Sequence, residues 1–199
     1  MNGVTRTIRT SDTNPLRVDF LSPNVIVPPG RLGMTIAPGK KDLNGWTGAH
    51  DRDLQKDLDL LFRDYNPSTV VSLMESFEYP AFQIPTLLGE ILIRGAQVIH
   101  YPIKDVSVPA SMSSFRMLID DLFRRVTDGE TVVVHCKGGL GRTGIVVAAV
   151  LVRMGHSARK ATQMTRICRA GTIQTTEQEQ FVRKYADAVA SGDSTKEYK

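Results

Sequence analysis

An α/β fold, with a central, mostly parallel sheet flanked by helices in a single domain, is predicted by three features of this 199-residue chain. Short β-branched runs alternate with segments of helical period, and a helix between two strands returns the chain so that the strands pair in parallel. A buried-type strand at 131–134 runs straight into a glycine-rich loop that opens an apolar helix. A composition of 41% hydrophobic and 23% charged residues suffices for one core.

The elements follow in order. Residues 1–30 are polar and carry Pro15, Pro23, Pro28 and Pro29, which predicts an extended arm or edge strand ahead of a domain spanning 31–190. Beyond Gly33, a short apolar piece and the turn Pro38-Gly39 lead to a polar loop with the only tryptophan, Trp46. Leu54, Leu58, Leu61 and Tyr65 mark a helix, with Asp51, Asp53 and Asp57 read as its solvated start. A buried strand at 69–73, a helix at 87–93 stopped by Gly95, and a strand at 97–101 follow, with His100 expected to be buried and internally satisfied.

The clearest amphipathic helix carries Phe115, Leu118, Ile119, Leu122, Phe123 and Val126 and ends at Asp128-Gly129. After the strand and the loop comes a helix at 143–154. One further helix is capped by Ser157 and stopped by Gly171, and another opens at Thr175 or Thr176, with Gln178 or Glu179 placed for a capping box. Residues 191–199 read as a disordered tail.

A net charge of +4, dispersed along the chain, predicts no nucleic-acid partner, although it favours an anionic substrate. Two distant cysteines form neither a disulfide framework nor a metal-ligand pattern, so a reducing compartment is expected, with no cofactor and no metal. Cys168 shares a face with Ala161, Met164 and Ile167 and reads as core. The N-terminus lacks a signal-peptide core and the longest apolar run, 144–152, is too short to span a bilayer; a soluble, cytoplasmic protein is expected.

The chemistry concentrates in His135-Cys136-Lys137-Gly138-Gly139-Leu140-Gly141-Arg142-Thr143-Gly144. Three glycines between Cys136 and Arg142 let backbone amides turn inward as a nest for a tetrahedral oxyanion, at the positive end of the following helix. Arg142 offers a planar fork to two phosphate oxygens, which a lysine cannot reproduce. Residues 137–142 are thus the candidate phosphate cradle, and no Gly-Lys-Ser/Thr follows to make it a nucleotide loop of the Walker type.

A free thiol titrates near about 8.5, and a helix N-terminus with nearby cations brings it to about 3.5–7.5. A drop of about three units is worth roughly 4 kcal/mol, whereas a helix dipole supplies about 0.3–1 kcal/mol. Loop amides and Arg142 must supply the rest. Thr143 can donate its hydroxyl to the Cys136 sulfur, and His135 is placed to order the loop from behind.

These residues resemble the signature of the cysteine-dependent protein phosphatases: His-Cys, five residues, Arg, then Ser or Thr. Within that superfamily the chain is most similar to the cyclin-dependent-kinase-associated subgroup of dual-specificity phosphatases. The likeness covers about residues 31–183 and rests on LGMTIAPGKKD, RDLQKDLDLL, YPIKDVSVP, HCKGGLGRTG and GTIQT. It implies a phosphocysteine mechanism, with Cys136 as nucleophile and Asp105, within Pro102-Ile103-Lys104-Asp105, as general acid. Gln174, within Gly171-Thr172-Ile173-Gln174-Thr175, would orient the hydrolytic water.

The implied substrate is a phosphorylated protein, with a kinase among the candidates, and a shallow pocket would accept phosphoserine and phosphothreonine as well as phosphotyrosine. Lys137 resembles the basic position of phosphatases for inositol lipids, but these carry a second lysine where this chain has Leu140. The chain also departs from its subgroup at Val106-Ser107, where two glycines are usual, and at Ala110, where an acid is common. Two alternatives stay open: a phosphatase for inositol phosphates or RNA 5′ phosphates, and a pseudophosphatase that binds phosphoproteins without turnover.

Overall fold

A computed structural model describes residues 7–26, 29–45 and 48–191 of the chain; Trp46, Pro28 and the tail from residue 192 lie outside the described residues. The elements in chain order are β1 (Ile8–Arg9), β2 (Asp19–Phe20), β3 (Arg31–Ile36), β4 (Lys41–Asp42), β5 (Ala49–Asp51), α1 (Leu54–Leu60) and β6 (Thr69–Ser72). Then come α2 (Glu78–Ala81), α3 (Leu87–Ile93), β7 (Gln97–His100), α4 (Met112–Thr127), β8 (Thr131–Cys136), α5 (Gly141–Arg153), α6 (Ala158–Cys168) and α7 (Thr176–Ala190). The main sheet has the order β2-β3-β8-β6-β7. Strands β3, β8, β6 and β7 run parallel, and β2 closes one edge antiparallel to β3. A small second sheet joins β1, β5 and β4.

The expected elements are present, and their ends are set by local chemistry. Asp53, Ser111, Ser157 and Thr175 cap α1, α4, α6 and α7 by accepting from the amide three residues on. Gly95 and Gly129 take left-handed φ values of 91° and 96° just past α3 and α4, a conformation that costs glycine little. Helix α1 continues as one π-turn, Leu61–Tyr65, before Asn66 ends it in the left-handed region.

Two apolar clusters sandwich the sheet: one beneath α4, α5 and α7, the other beneath α1 and α3. Helix α5 is buried along nearly its whole length, from Gly141 to Val152. Each fully buried Val, Leu or Ile there contributes about 1.5–3 kcal/mol, so the helix behind the glycine loop is anchored firmly. The first thirty residues supply Leu16, Val18, Leu21 and Ile26 to the core as well as β2 to the sheet edge.

Three local readings are corrected. Strand β7 lies at the sheet edge, and His100 is exposed, although its Nε2 lies 2.8 Å from the Met74 carbonyl. Asp57 is not solvated: it is 1% exposed and paired with Arg52. Ile167, which shares no core role, is 76% exposed, whereas Cys168 is half-buried and donates to the Asp19 carbonyl. Burial pushes the Cys168 thiol up to about 11, which leaves it unreactive. Among the described residues no helix is long and apolar enough to cross a membrane.

Candidate active site

The register of the sheet builds the site. Strand β8 is flanked by β3 and β6, with Ile36 opposite Cys136 and Ser72 opposite His135, so Cys136 sits at the carboxyl edge of the central strand. The loop then turns back into α5, whose first amides face the sulfur. Gly139 allows this turn, with φ 64° and an approach so close that a Cβ would lie 2.2 Å from the Thr35 carbonyl oxygen. Gly141 is needed for another reason: a Cβ there would lie 2.7 Å from Gln174 Oε1. Gly138, by contrast, has open space around it, so the loop geometry does not require glycine at that position.

Cys136 is 3% exposed. Burial alone would raise its pKa, but the Arg142 charge, the Thr143 hydroxyl and the Thr143 and Leu140 amides together outweigh it and hold the thiol below its usual range. The Thr143 hydroxyl has no other partner and is free to turn to the sulfur. A buried thiolate surrounded by donors is an effective nucleophile.

Arg142 is 1% exposed and heavily tethered. Its Nη1 donates to Glu78 Oε2 at 2.6 Å, to the Ile103 carbonyl at 3.0 Å and to the Leu73 carbonyl at 3.3 Å, and its Nη2 donates to Glu78 Oε1 at 2.9 Å. Despite burial, Glu78, the Cys136 thiolate and Asp105 raise the guanidinium pKa further. The buried Nε has no partner among the described residues, which leaves one donor of the fork uncommitted.

Asp105 reaches the same place from the loop that follows β7. Its Oδ1 lies 2.9 Å from Arg142 Nη2 and its Oδ2 lies 3.3 Å from Lys137 Nζ. The next residue, Val106, holds φ 59°, a costly conformation for a β-branched side chain and one that glycine would take freely. Gln174 is exposed at the mouth of the loop, directly over Gly141. Gln178, read from the sequence only as a capping residue, instead accepts from the Gln174 amide at 2.8 Å and donates to the Ser107 carbonyl at 3.3 Å, tying two site loops together.

The structure therefore brings Cys136, Arg142, Asp105, Lys137 and Gln174 around one cavity, with Gly138, Leu140 and Gly141 in its wall, whereas Thr143, fully buried beside the Cys136 sulfur, and Gly139 do not line it. Sequence reasoning missed three further members. Glu78 begins a four-residue helix that has no periodic signal, and its Oε2 also accepts from the Glu75 amide at 2.7 Å. Lys40 and Asp42, beyond β3, line the same cavity. Both fall within LGMTIAPGKKD, one of the segments that carry the family likeness, but nothing in it besides the Pro-Gly turn at a strand end singles them out.

His135 is fully buried, with no well-formed hydrogen bond at either ring nitrogen among the described residues; burial, against a weaker opposing pull from the Cys136 backbone, holds its pKa at about 4. His50, 3% exposed, is likewise held at about 4 by burial and by the Lys40, Arg52 and Arg9 charges. Both folded values lie below the ordinary 6.5, so neither ring affects stability above that pH. As pH falls from 6.5 towards 4, the unfolded chain takes up protons that the fold refuses, and each ring costs up to about 3 kcal/mol. Thermal melts should drop steeply across that window, and the His50→Asn, His135→Asn protein should show a flatter profile. An unchanged slope would assign the acid sensitivity elsewhere.

Comparison with known proteins identifies the geometry. The family model described as a polymorphic toxin system DSP-PTPase phosphatase matches residues 50–156, more than half of the chain. The chain belongs to this phosphatase family. The matched stretch contains Asp105, Cys136, Arg142 and Thr143, while Lys40 and Gln174 lie outside it.

This DSP-PTPase phosphatase is similar to cyclin-dependent kinase inhibitor 3 of Homo sapiens, with 25% identity over 191 residues, covering 94% of this chain and 86% of that one. The crystal structure of kinase associated phosphatase with its catalytic cysteine replaced by serine overlays with a TM-score of 0.79 at 25% identity, covering 89% of this chain and 98% of the other. The active form of Tk-PTP overlays at 0.66 with 29% identity, covering 85% and 96%. The enzyme is a cysteine-dependent dual-specificity protein phosphatase.

Proposed function

We propose that this phosphatase hydrolyses phosphotyrosine and phosphoserine or phosphothreonine esters of protein substrates through a phosphocysteine at Cys136. The observation that carries the reading is the Cys136 sulfur facing the Leu140 and Thr143 amides beside the partnerless Arg142 Nε. An incoming phosphate takes Arg142 Nε and replaces Asp105 at Nη2, which gives the clamp a side-on, bidentate grip. The amides and the guanidinium then hold the equatorial oxygens while sulfur attacks phosphorus in line.

Asp105, released from Arg142 but still beside Lys137, protonates the leaving oxygen. In the second step it takes a proton from a water oriented by Gln174, the phosphorus–sulfur bond breaks, and Thr143 steadies the returning thiolate. His135 supports the loop as a neutral ring. A kinase is the protein substrate favoured by two of the relatives, named cyclin-dependent kinase inhibitor 3 and kinase associated phosphatase, and two free cysteines suit the cytoplasm.

The test is turnover of p-nitrophenyl phosphate and of phosphopeptides by the intact protein. Asp105→Asn should lower kcat about 10²-fold on phosphothreonine peptide and much less on p-nitrophenyl phosphate, whose leaving group needs no proton. Equal losses on both would remove Asp105 from the role of acid.

A further inference from the structure

The catalytic loop holds carbonyls outward, and this turns amides inward, because in a trans peptide the C=O and the following N–H point to opposite sides. The Lys137 carbonyl accepts from the Ala37 amide at 3.4 Å, and the Leu140 carbonyl accepts from the Gly144 and Ile173 amides at 2.9 and 3.3 Å. At those peptides, main chain fixes main chain. The Gly138 carbonyl is held differently: it accepts from Nη2 of Arg169, a side chain 31 residues away, at 3.4 Å.

The Gly138–Gly139 peptide is the one most in need of such a hold. It joins two glycines, the residues least restricted in φ and ψ, and although Gly139 packs against Thr35, Gly138 has open space around it. Gly138 and Leu140 line both the catalytic cavity of about 300 Å³ and a second cavity of about 630 Å³. This stretch of the loop is therefore a wall between two open spaces.

Arg169 is itself anchored. Its Nη1 donates to Asp19 Oδ2 at 2.6 Å, and the Asp19 side chain, in β2, is 8% exposed. The exposed Arg17 takes the other oxygen, Oδ1, which leaves Oδ2 to Arg169. The buried Nε of Arg169 has no partner among the described residues, so no third tie pulls the guanidinium away from the loop. Cys168 already joins the end of α6 to the Asp19 carbonyl.

We infer that Arg169 is a positioning residue for the reaction and that Asp19, in the N-terminal arm, sets it in place: the pair fixes the Gly138 carbonyl outward and so turns the Gly139 amide onto the phosphoryl group at Cys136. This role rests on the phosphocysteine reading of Cys136. Neither residue lies within the matched stretch 50–156. Without the guanidinium, the Gly138 carbonyl is free to rotate towards the cavity, which puts an acceptor where the cradle needs a donor. The sulfur is affected less, since its own amide partners are those of Leu140 and Thr143.

The test uses the intact protein, with p-nitrophenyl phosphate as substrate and inorganic phosphate as inhibitor. Arg169→Met should raise the phosphate Ki by about tenfold, as expected for loss of one charge-assisted bond, and lower kcat/KM by at least as much. Asp19→Asn should act in the same direction, Arg169→Lys should restore part of the loss, and the Asp19→Asn and Arg169→Met effects should not add in the double variant. The pH midpoint for alkylation of Cys136 by iodoacetamide should stay close to that of the wild type, which a general loosening of the loop would not allow. In wild-type protein carrying isotope-labelled glycine, the Gly139 amide resonance should move when phosphate binds, a readout independent of whether the variants fold.

An unchanged Ki in Arg169→Met, a shift of the Cys136 midpoint as large as the change in Ki, fully additive effects of the two substitutions, or a wild-type Gly139 amide that phosphate leaves unmoved would overturn the positioning role. A wild-type protein that neither turns over p-nitrophenyl phosphate nor binds phosphate would instead bring down the phosphocysteine reading itself.

Discussion

Cys136→Ser lowers kcat by about ten-thousandfold or more while the protein still binds phosphate esters. The serine oxygen takes the place of sulfur at the floor of the same amides, so Arg142 and the loop continue to hold phosphate. What is lost is ionisation. The donors around position 136 bring a thiol below its usual range, but an alcohol starts far higher and stays protonated in the same field. Burst kinetics with p-nitrophenyl phosphate and capture of a labelled phosphoenzyme check the claim, the wild type showing both and the variant neither. Metal-dependent turnover that survives the substitution would end the phosphocysteine account.

Glu78→Gln should cost about 3–5 kcal/mol of stability, because it removes the charge that compensates a guanidinium buried to 1% exposure. Asp105 is the remaining acid on that guanidinium, but it is 40% exposed and sits on a loop. With both Glu78 oxygens gone as charged acceptors, Arg142 Nη1 keeps the Leu73 and Ile103 carbonyls and loses its firmest tether. The guanidinium plane should then wander, and kcat/KM should fall by about 10²-fold, since small misplacements of a catalytic group carry penalties of that size. Chemical denaturation reads the first effect and aryl phosphate kinetics the second. A variant matching the wild type in both would reduce Glu78 to packing.

The two substitutions mark different depths of legibility. Cys136, Arg142 and Thr143 share one loop, where spacing along the chain is spacing in space, and their chemistry could be read before any coordinate was known. Asp105 was implied by the family resemblance, and its place after a strand whose neighbours in the parallel sheet end at the same edge is consistent with that. Glu78, Lys40 and Asp42 carry no comparable signal. Glu78 lies 64 residues from the arginine it holds, in a helix of four residues, and no periodicity there distinguishes a buried acid from a solvated one.

Asp57 illustrates the same limit in reverse. Its place in the first turn of α1 reads as a helix-dipole partner, yet it is buried because the turn after β3 needs an acceptor for the Gly39 amide and Arg52 needs a counter-ion. Val106 also escaped: the departure from glycine is visible in the chain, but the left-handed φ that makes it costly is not.

By itself, then, the sequence determined the α/β class and the strand–loop–helix that carries Cys136 and Arg142, both local patterns or direct consequences of parallel pairing, while the family resemblance implied a role for Asp105 on the neighbouring loop. The tertiary structure alone decided which distant charges close around Cys136 and Arg142. That choice depends on burial and on contacts between remote segments, where a counter-ion is selected by the cost of leaving a buried charge unpaired and not by its neighbours in the chain.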